Sequence, residues 1–380
     1  MSPHTSVLFD ATSLPPNWGG VARYIQGVLA GLDELGVSVH VVAKPADIAR
    51  LRDAAPGHRY HPAPAAIRAR PVRFAWEQLG LPRLARTLGA TVIHSPHYTL
   101  PLVSRAANVV TLHDATFFTD PEVHSRLKRT FFTWWTRRAA GRAAVLITPS
   151  RATADAVRAS IRDVRAAMLV AYLGVDPAVF HVPASAEVER FAREHALDSP
   201  TGWIAFLGTI EPRKNVPALL RAHALLRERL GSGTPTLVLS GSRGWDEDAA
   251  TRLDALTPTD LVVEAGYLPL DDLPAFLGGA SVVAYPSLGE GFGLPVLEAM
   301  ACGAAVLTTR RLSIPEVGGD AVAYTEPDSE SIAAALETLL AEPERRAGLA
   351  SQAAARSTEF TWLACARVHL DAYERAGAAA

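Results

Sequence analysis

Short apolar runs alternate along the chain with longer segments whose hydrophobic positions recur at helical spacing. In the first half the runs are Ser6 to Phe9, Val37 to Val42, Thr91 to His94, Ala107 to Leu112 and Val145 to Thr148. Between them Gly20 to Leu35, Phe74 to Leu88, Ser125 to Ala143 and Arg151 to Ser160 read as helices. The second half repeats the scheme. Strands at Trp203 to Leu207, Thr236 to Leu239, Leu261 to Glu264, Ser281 to Tyr285 and Ala305 to Leu307 alternate with helices near Val216 to Arg229, Glu247 to Leu256, Leu270 to Leu277 and Pro295 to Ala301. Strand alternating with helix predicts parallel sheets covered on both faces. The expected fold class is therefore α/β, with two doubly wound Rossmann-like domains facing a central cleft at the carboxyl ends of their strands. The proline-bearing stretch Val175 to Ser199 is the expected hinge between them.

Composition narrows the class. Of 380 residues 49% are hydrophobic and 20% charged, which suits a filled globular protein and excludes disorder over most of the chain. No run approaches the roughly 20 apolar residues needed to cross a bilayer. The first residues carry no basic region followed by an apolar core, so nothing suggests secretion. Cys302 and Cys365 form neither a close pair nor a ligand cluster, so a reducing cytoplasm is expected. The net charge of −2 hides an asymmetry: residues 1–185 hold 21 Lys and Arg against 12 Asp and Glu (+9), leaving 16 against 27 (−11) for the rest. A basic half could face a polyanion or an anionic membrane, whereas near-neutrality overall argues against general nucleic-acid binding.

Four motifs lie at strand ends. In Tyr285 to Gly303, YPSLGEGFGLPVLEAMACG, a strand runs into a loop with Gly289, Gly291 and Gly293, and a helix starts at Pro295. The amides of Gly293 and Leu294 suit a phosphate, and Glu290 and Glu298 can line one pocket for sugar or ribose hydroxyls. In Gly208 to Asn215, GTIEPRKN, Arg213 and Lys214 precede a helix, where the macrodipole opposes cations unless an anion is also present. They would project into the cleft and neutralise a leaving diphosphate. Gly19-Gly20 occupies the first strand-to-helix turn. His113-Asp114 ends the strand beginning at Ala107, with His113 a candidate ligand contact and Asp114 either orienting it or capping the next turn. Separately, His124 to Arg142 combines Arg126, Lys128, Arg129, Arg137, Arg138 and Arg142 with Phe131, Phe132, Trp134 and Trp135. That segment reads equally as a helix lying on an anionic membrane or as a domain helix with buried aromatics.

The two glutamates of EGFGLPVLE, together with GG at Gly19-Gly20, HD at His113-Asp114, TPS at Thr148 to Ser150, LGVD at Leu173 to Asp176, GTIEPRKN and IPEVGGDA at Ile314 to Ala321, resemble the retaining GT-B glycosyltransferases of family 4 over nearly the whole chain. The resemblance implies that Glu290 contacts the donor sugar, Glu298 the ribose, and the amides of Phe292, Gly293 and Leu294 the sugar and diphosphate. It puts His113 near the transferred sugar and Gly19-Gly20 at donor phosphate or acceptor, and counts Asp114 and Thr209 with the donor-binding residues. Many relatives carry an arginine where this chain has Thr209, which leaves Arg213 as the substitute. Residues 1–185 would form the acceptor-binding domain, 186–359 the nucleotide-sugar domain, and 360–380 a helix crossing back to the first. The EPRKN loop resembles that of bacterial mannosyltransferases, implying GDP-mannose as donor and a glycan, lipid-linked or small-molecule acceptor. No DxD-like pair suits metal binding on a diphosphate, so metal-independent transfer without a cofactor is expected, and the resemblance implies a front-face displacement in which the donor phosphate assists deprotonation of the acceptor. The enzyme would be cytoplasmic, with peripheral association at the inner face of the cell membrane. Two other readings stay open: an NADP-dependent oxidoreductase built on the glycine loop and Arg310-Arg311, although its third glycine would fall at Leu294, and a catalytically silent sugar-nucleotide-binding module.

Overall fold

The computed structural model describes residues 5–15, 18–121, 124–197 and 199–378. Contacts divide the chain into two compact units, Met1–Gly174 with Phe360–Ala380, and Val175–Glu359.

The first unit contains β1 (Val7–Asp10), β2 (His40–Ala43), β3 (Arg59–Pro62), β4 (Val92–Ser95), β5 (Ala107–Thr111), β6 (Val145–Thr148) and β7 (Ala167–Val170). They form one sheet in the order β3-β2-β1-β4-β5-β6-β7, with every pairing parallel. β1, β4 and β6 are buried at every residue, as strands covered by helices on both faces must be. The second unit contains β8 (Trp203–Leu207), β9 (Thr236–Ser240), β10 (Val262–Gly266), β11 (Val282–Tyr285), β12 (Val306–Thr309) and β13 (Ala323–Thr325). Their order is β10-β9-β8-β11-β12-β13, again all parallel. In each sheet the winding reverses once, between β1 and β4 and between β8 and β11, and loops leaving the carboxyl ends of those strands border a crevice.

Both expected doubly wound sheets are present, and each is wider than the apolar runs indicated. The additional strands β3, β7 and β13 all lie at sheet edges, where their residues are partly solvated and lose the apolar signature of a central strand. The division between units falls after Gly174, ahead of the 185 boundary expected, and Val175 to Ser199 is not a bare linker. Gly278 and Gly303 leave room for Pro183 and Val182, which an added Cβ would meet at 2.5 and 3.1 Å. The helix Ser185–Glu194 then packs Phe191 against Trp203 and Phe276, each with ring centroids 5.9 Å apart. This segment is thereby part of the second core.

The C-terminal helix Trp362–Ala378 packs in the first unit against the helix Gly20–Glu34. Three glycines make the approach possible: a Cβ on Gly27 would lie 2.1 Å from the Trp362 ring, one on Gly31 2.4 Å from the Trp362 carbonyl, and one on Gly174 2.2 Å from the Trp362 nitrogen. Cys365, His369 and Tyr373, spaced by four, present one face to the sheet. His369 Nδ1 donates to the Cys365 carbonyl at 2.8 Å, so its neutral ring accepts from the Tyr24 hydroxyl at Nε2, 2.7 Å away. Tyr24 in turn accepts from Thr111 Oγ1 (2.6 Å), Thr111 from His94 Nε2 (2.9 Å), and His94 Nδ1 from the Tyr373 hydroxyl (2.8 Å). Every member is buried, and a buried polar chain holds its register only when all partners are present.

Candidate functional site

The chemistry gathers at the reversal point of the second sheet. β8 ends at Leu207, and the chain passes through Gly208 and Thr209 into a turn at Pro212–Lys214 before the helix Val216–Leu230. The neighbouring β11 ends at Tyr285, and its loop leads to the helix Leu294–Ala301. Gly293 precedes that helix at φ +105°, a backbone setting that glycine adopts without strain and an L side chain does not. The two loops are sewn together by main chain and side chain: Leu288 N and Ser287 Oγ donate to the Arg213 carbonyl at 2.7 and 2.9 Å. Asn215 Nδ2 donates to the carbonyls of Pro286 (3.2 Å) and Pro327 (2.7 Å). Ser313 Oγ serves the carbonyls of Glu290 and Phe292 at 2.7 and 2.9 Å. A glycine-rich loop carries few side chains of its own, so neighbours supply these hydrogen bonds.

Glu290 is the centre of this arrangement. One carboxylate oxygen receives Lys214 Nζ at 2.5 Å, the Tyr285 hydroxyl at 2.8 Å and Ser287 Oγ at 2.8 Å. The other pairs with Arg213 Nη1, whose Nη2 reaches Glu211 Oε1 at 2.7 Å. Burial would raise the Glu290 pKa, but the Arg213 and Lys214 charges and their hydrogen bonds outweigh it and pull the carboxyl down to about 2. Lys214 is lowered by its own burial and by Arg213, against the opposing pull of Glu290 and Glu211. Tyr285 is pushed up, first by burial and then by Glu290, so it keeps its proton and donates.

The structure thus brings Arg213, Lys214 and Glu290 into one hydrogen-bonded cluster. Lys214 is 6% exposed, and an ammonium at that depth requires a carboxylate. Two cations face two carboxylates, so the cluster is formally neutral as it stands. Glu298 is buried within the helix that follows, and its charge is felt by the buried Cys302 thiol. Thr209 lies two residues beyond β8, its methyl group 3.0 Å from where a Cβ on Gly244 would stand. Phe292 is buried beside Gly293, and Leu294 begins the helix.

In the first unit, Gly19 and Gly20 open the helix that follows β1, and a Cβ on Gly19 would meet open space. His113 follows β5. Its Nε2 donates to the Pro96 carbonyl at 2.6 Å, which leaves Nδ1 as an acceptor, and burial lowers its pKa against the contrary effects of that hydrogen bond and of Asp114. The Tyr24 ring stands edge-on to it, centroids 4.9 Å apart. A neutral imidazole held this way can accept a hydrogen bond from a hydroxyl. Asp114 takes the capping alternative: its Oδ1 accepts from Thr116 N at 3.1 Å and Thr116 Oγ1 at 2.8 Å.

Tyr285, Ser287 and Glu211 went unassigned in the sequence although they lie inside the quoted motifs. Their signal was present as polar residues flanking Glu290 and Arg213, but which of them turns inward depends on how the two loops meet.

Similarity to known proteins runs along the whole chain. The model of the glycosyl transferases group 1 matches residues 187–356, and that of glycosyltransferase family 4 matches residues 18–179. O-antigen chain mannosyltransferase B of Escherichia coli is 31% identical over 286 residues, 74% of this chain and 74% of that protein. Sucrose-phosphate synthase from Thermosynechococcus elongatus superposes with a TM-score of 0.77 at 19% identity, covering 99% of this chain and 100% of its own. Anabaena Alr3699/HepE, solved in complex with UDP-glucose, gives 0.75 at 20% identity, covering 97% and 99%. At such identity the two structures establish the fold alone.

Proposed function

The chain belongs to the group 1, family 4 glycosyltransferases and has their GT-B fold, and from that premise we propose that it transfers mannose from GDP-mannose to an acceptor hydroxyl with retention of anomeric configuration. The observation that carries this reading is the Arg213, Lys214 and Glu290 cluster at the reversal point of the second sheet. Two cations beside the glycine loop and the start of the helix Leu294–Ala301 suit a diphosphate. When its phosphates engage Arg213 and Lys214, Glu290 is released to accept hydroxyl hydrogen bonds from the sugar, and Glu298 those of the ribose. The mannosyltransferase relative supports the sugar, and the EPRKN loop supports the nucleotide. Family membership sets aside the oxidoreductase reading.

Transfer proceeds in this proposal by front-face displacement. The bond from the anomeric carbon to the diphosphate breaks as the acceptor oxygen approaches from the same side, and a donor phosphate oxygen takes the acceptor proton. Arg213 and Lys214 meet the charge developing on the leaving group without a metal ion. Asp246 and Asp248, spaced as a D-x-D pair, are otherwise employed: Asp246 caps a helix through Ala249 N at 3.0 Å, and Asp248 pairs with Arg252 at 2.9 Å. His113 accepts a hydroxyl of the sugar or the acceptor. The acceptor is a glycan, a lipid-linked glycan or a small molecule held by the first unit.

No helix among the described residues is long and apolar enough to cross a membrane. Peripheral association with an anionic inner leaflet is part of the proposal, supported by the exposed aromatics of the basic helix Arg126–Arg142.

Incubation with a panel of nucleotide sugars, with and without EDTA, tests the donor. Mass spectrometry is expected to find GDP released from GDP-mannose and unaffected by EDTA. Release from UDP sugars alone would reassign the donor, and release that EDTA stops would bring a metal into the mechanism.

A further inference from the structure

Two helices of the first unit, Arg126–Arg142 and Arg151–Ser160, end on the amino-terminal side of its sheet, just ahead of β6 and β7. Between their ends lies an open cavity of about 710 Å³. Arg137, Arg138, Arg142, Arg162 and Arg165 line it, and Asp163 is the one carboxylate in its lining, so five positive charges less one leave +4. Asp163 pairs with Arg165 at 3.4 Å, and among the described residues no ion pair reaches the other four.

Helix ends attract cations, but that accounts for one or two guanidiniums. The Ala140 carbonyl already receives Arg165 N and Ala166 N at 2.9 and 3.1 Å. Four further exposed guanidiniums gathered without counter-charges make a local positive field that an anion shared between them would lower. Arginine, planar and able to donate two parallel hydrogen bonds, matches phosphoryl oxygens best. The cavity is also at the amino ends of the strands, whereas His113 follows the carboxyl end of β5.

The neighbouring surface indicates where such a group would come from. On the same helix Leu127, Phe131 and Trp134 follow one another at i, i+4 and i+7, all exposed, and Arg138 completes the stripe at i+11. Its guanidinium lies over the Trp134 ring, 4.9 Å from the centroid. An apolar stripe that runs into a cationic cavity is suited to the headgroup level of a bilayer, where aromatic and aliphatic side chains insert and arginines meet phosphate.

We propose that this cavity is a phosphoryl-binding site that takes the phosphate group of an anionic lipid, or the same group on a soluble ligand. It rests in part on the membrane association proposed above, yet the two can fail separately. Two probes test it on the full chain: titration with inorganic pyrophosphate, and flotation with phosphatidylglycerol vesicles against phosphatidylcholine vesicles. Wild type is compared with R142A/R162A and with L127S/W134S, with thermal melts to check folding. Pyrophosphate also suits Arg213 and Lys214, so two binding sites are expected in wild type and one in R142A/R162A. Removing two arginines is expected to weaken phosphatidylglycerol binding about thirtyfold. A loss with vesicles alone identifies a lipid headgroup, and a loss with pyrophosphate alone identifies a soluble ligand. If R142A/R162A binds both probes as wild type does, the site is overturned. Vesicle binding that then falls only in L127S/W134S would leave the membrane association standing.

Discussion

Glu290 holds two cations with one carboxylate, and the four donors around it come from three pieces of chain. Lys214 and Arg213 come from the loop after β8, Tyr285 from the end of β11, and Ser287 from the bend that follows. Replacing Lys214 by Ala leaves Glu290 with Arg213, Tyr285 and Ser287, so the buried carboxylate is still countered. The fold is therefore expected to survive with a lower melting temperature. Contacts to a leaving diphosphate that strengthen in the transition state contribute about 3 to 4 kcal/mol, so kcat for Lys214→Ala is expected to fall roughly 10² to 10³-fold. Steady-state kinetics beside a thermal melt separates the two effects. Activity within about threefold of wild type, in folded protein, removes Lys214 from the mechanism. The prominence of Lys214, Arg213 and Glu290 was legible because charged residues at strand-to-helix loops have few structural uses. The interlocking was not, since Tyr285 and Ser287 are ordinary loop residues until the second loop folds over them.

Central strands announce themselves and edge strands do not. β6, Val145–Thr148, is apolar apart from its last residue and was found at its observed bounds, whereas β3 reads Arg-Tyr-His-Pro and passes for a turn. Helix faces raise a related ambiguity. Trp134 and Trp135 are adjacent in a basic segment, but neighbours on a helix point about 100° apart. Trp135 is 3% exposed, in a core with Leu112 and Leu146, while Trp134 is 43% exposed. The reading with buried aromatics holds for Trp135 and fails for Trp134. Close helix contacts are the least visible feature in a sequence, because glycine signals a turn more often than a crossing. Gly27 and Gly31 mark such a crossing here, where a Cβ would enter the Trp362 ring or its carbonyl. Gly27→Ala, favourable for an isolated helix, is expected to destabilise the first unit by about 1 to 3 kcal/mol through overpacking. A thermal melt at least several degrees lower is the expected result, and an unchanged or raised melting temperature would show that the two helices part without cost.

At the scale of the whole chain, the doubled βα scheme, the placing of ligand loops at strand carboxyl ends and the charge asymmetry were all readable, because each arises from residues close together in sequence. The boundary after Gly174 was not, because it depends on Val182 and Pro183 finding glycines a hundred residues further on. The return of the last helix to the first unit has a consequence for biosynthesis. Residues 175–359 interrupt the first unit and are complete as soon as they leave the ribosome, but the first unit waits for Trp362–Ala378. At an elongation speed of about 5 to 20 residues per second the delay after residue 174 is roughly 10 to 40 s. Throughout it, the glycine seat of Trp362 and the hydroxyl of Tyr24 and imidazole of His94 lack the partners that later bury them. The nascent first unit is then a client for chaperones while the second is already a folded passenger. A fragment of residues 175–359 is accordingly expected to unfold cooperatively when expressed alone, and residues 1–174 to aggregate unless a peptide of residues 360–380 is supplied. Cooperative unfolding of residues 1–174 without that peptide would mean that the order of emergence from the ribosome leaves no mark on this protein's folding.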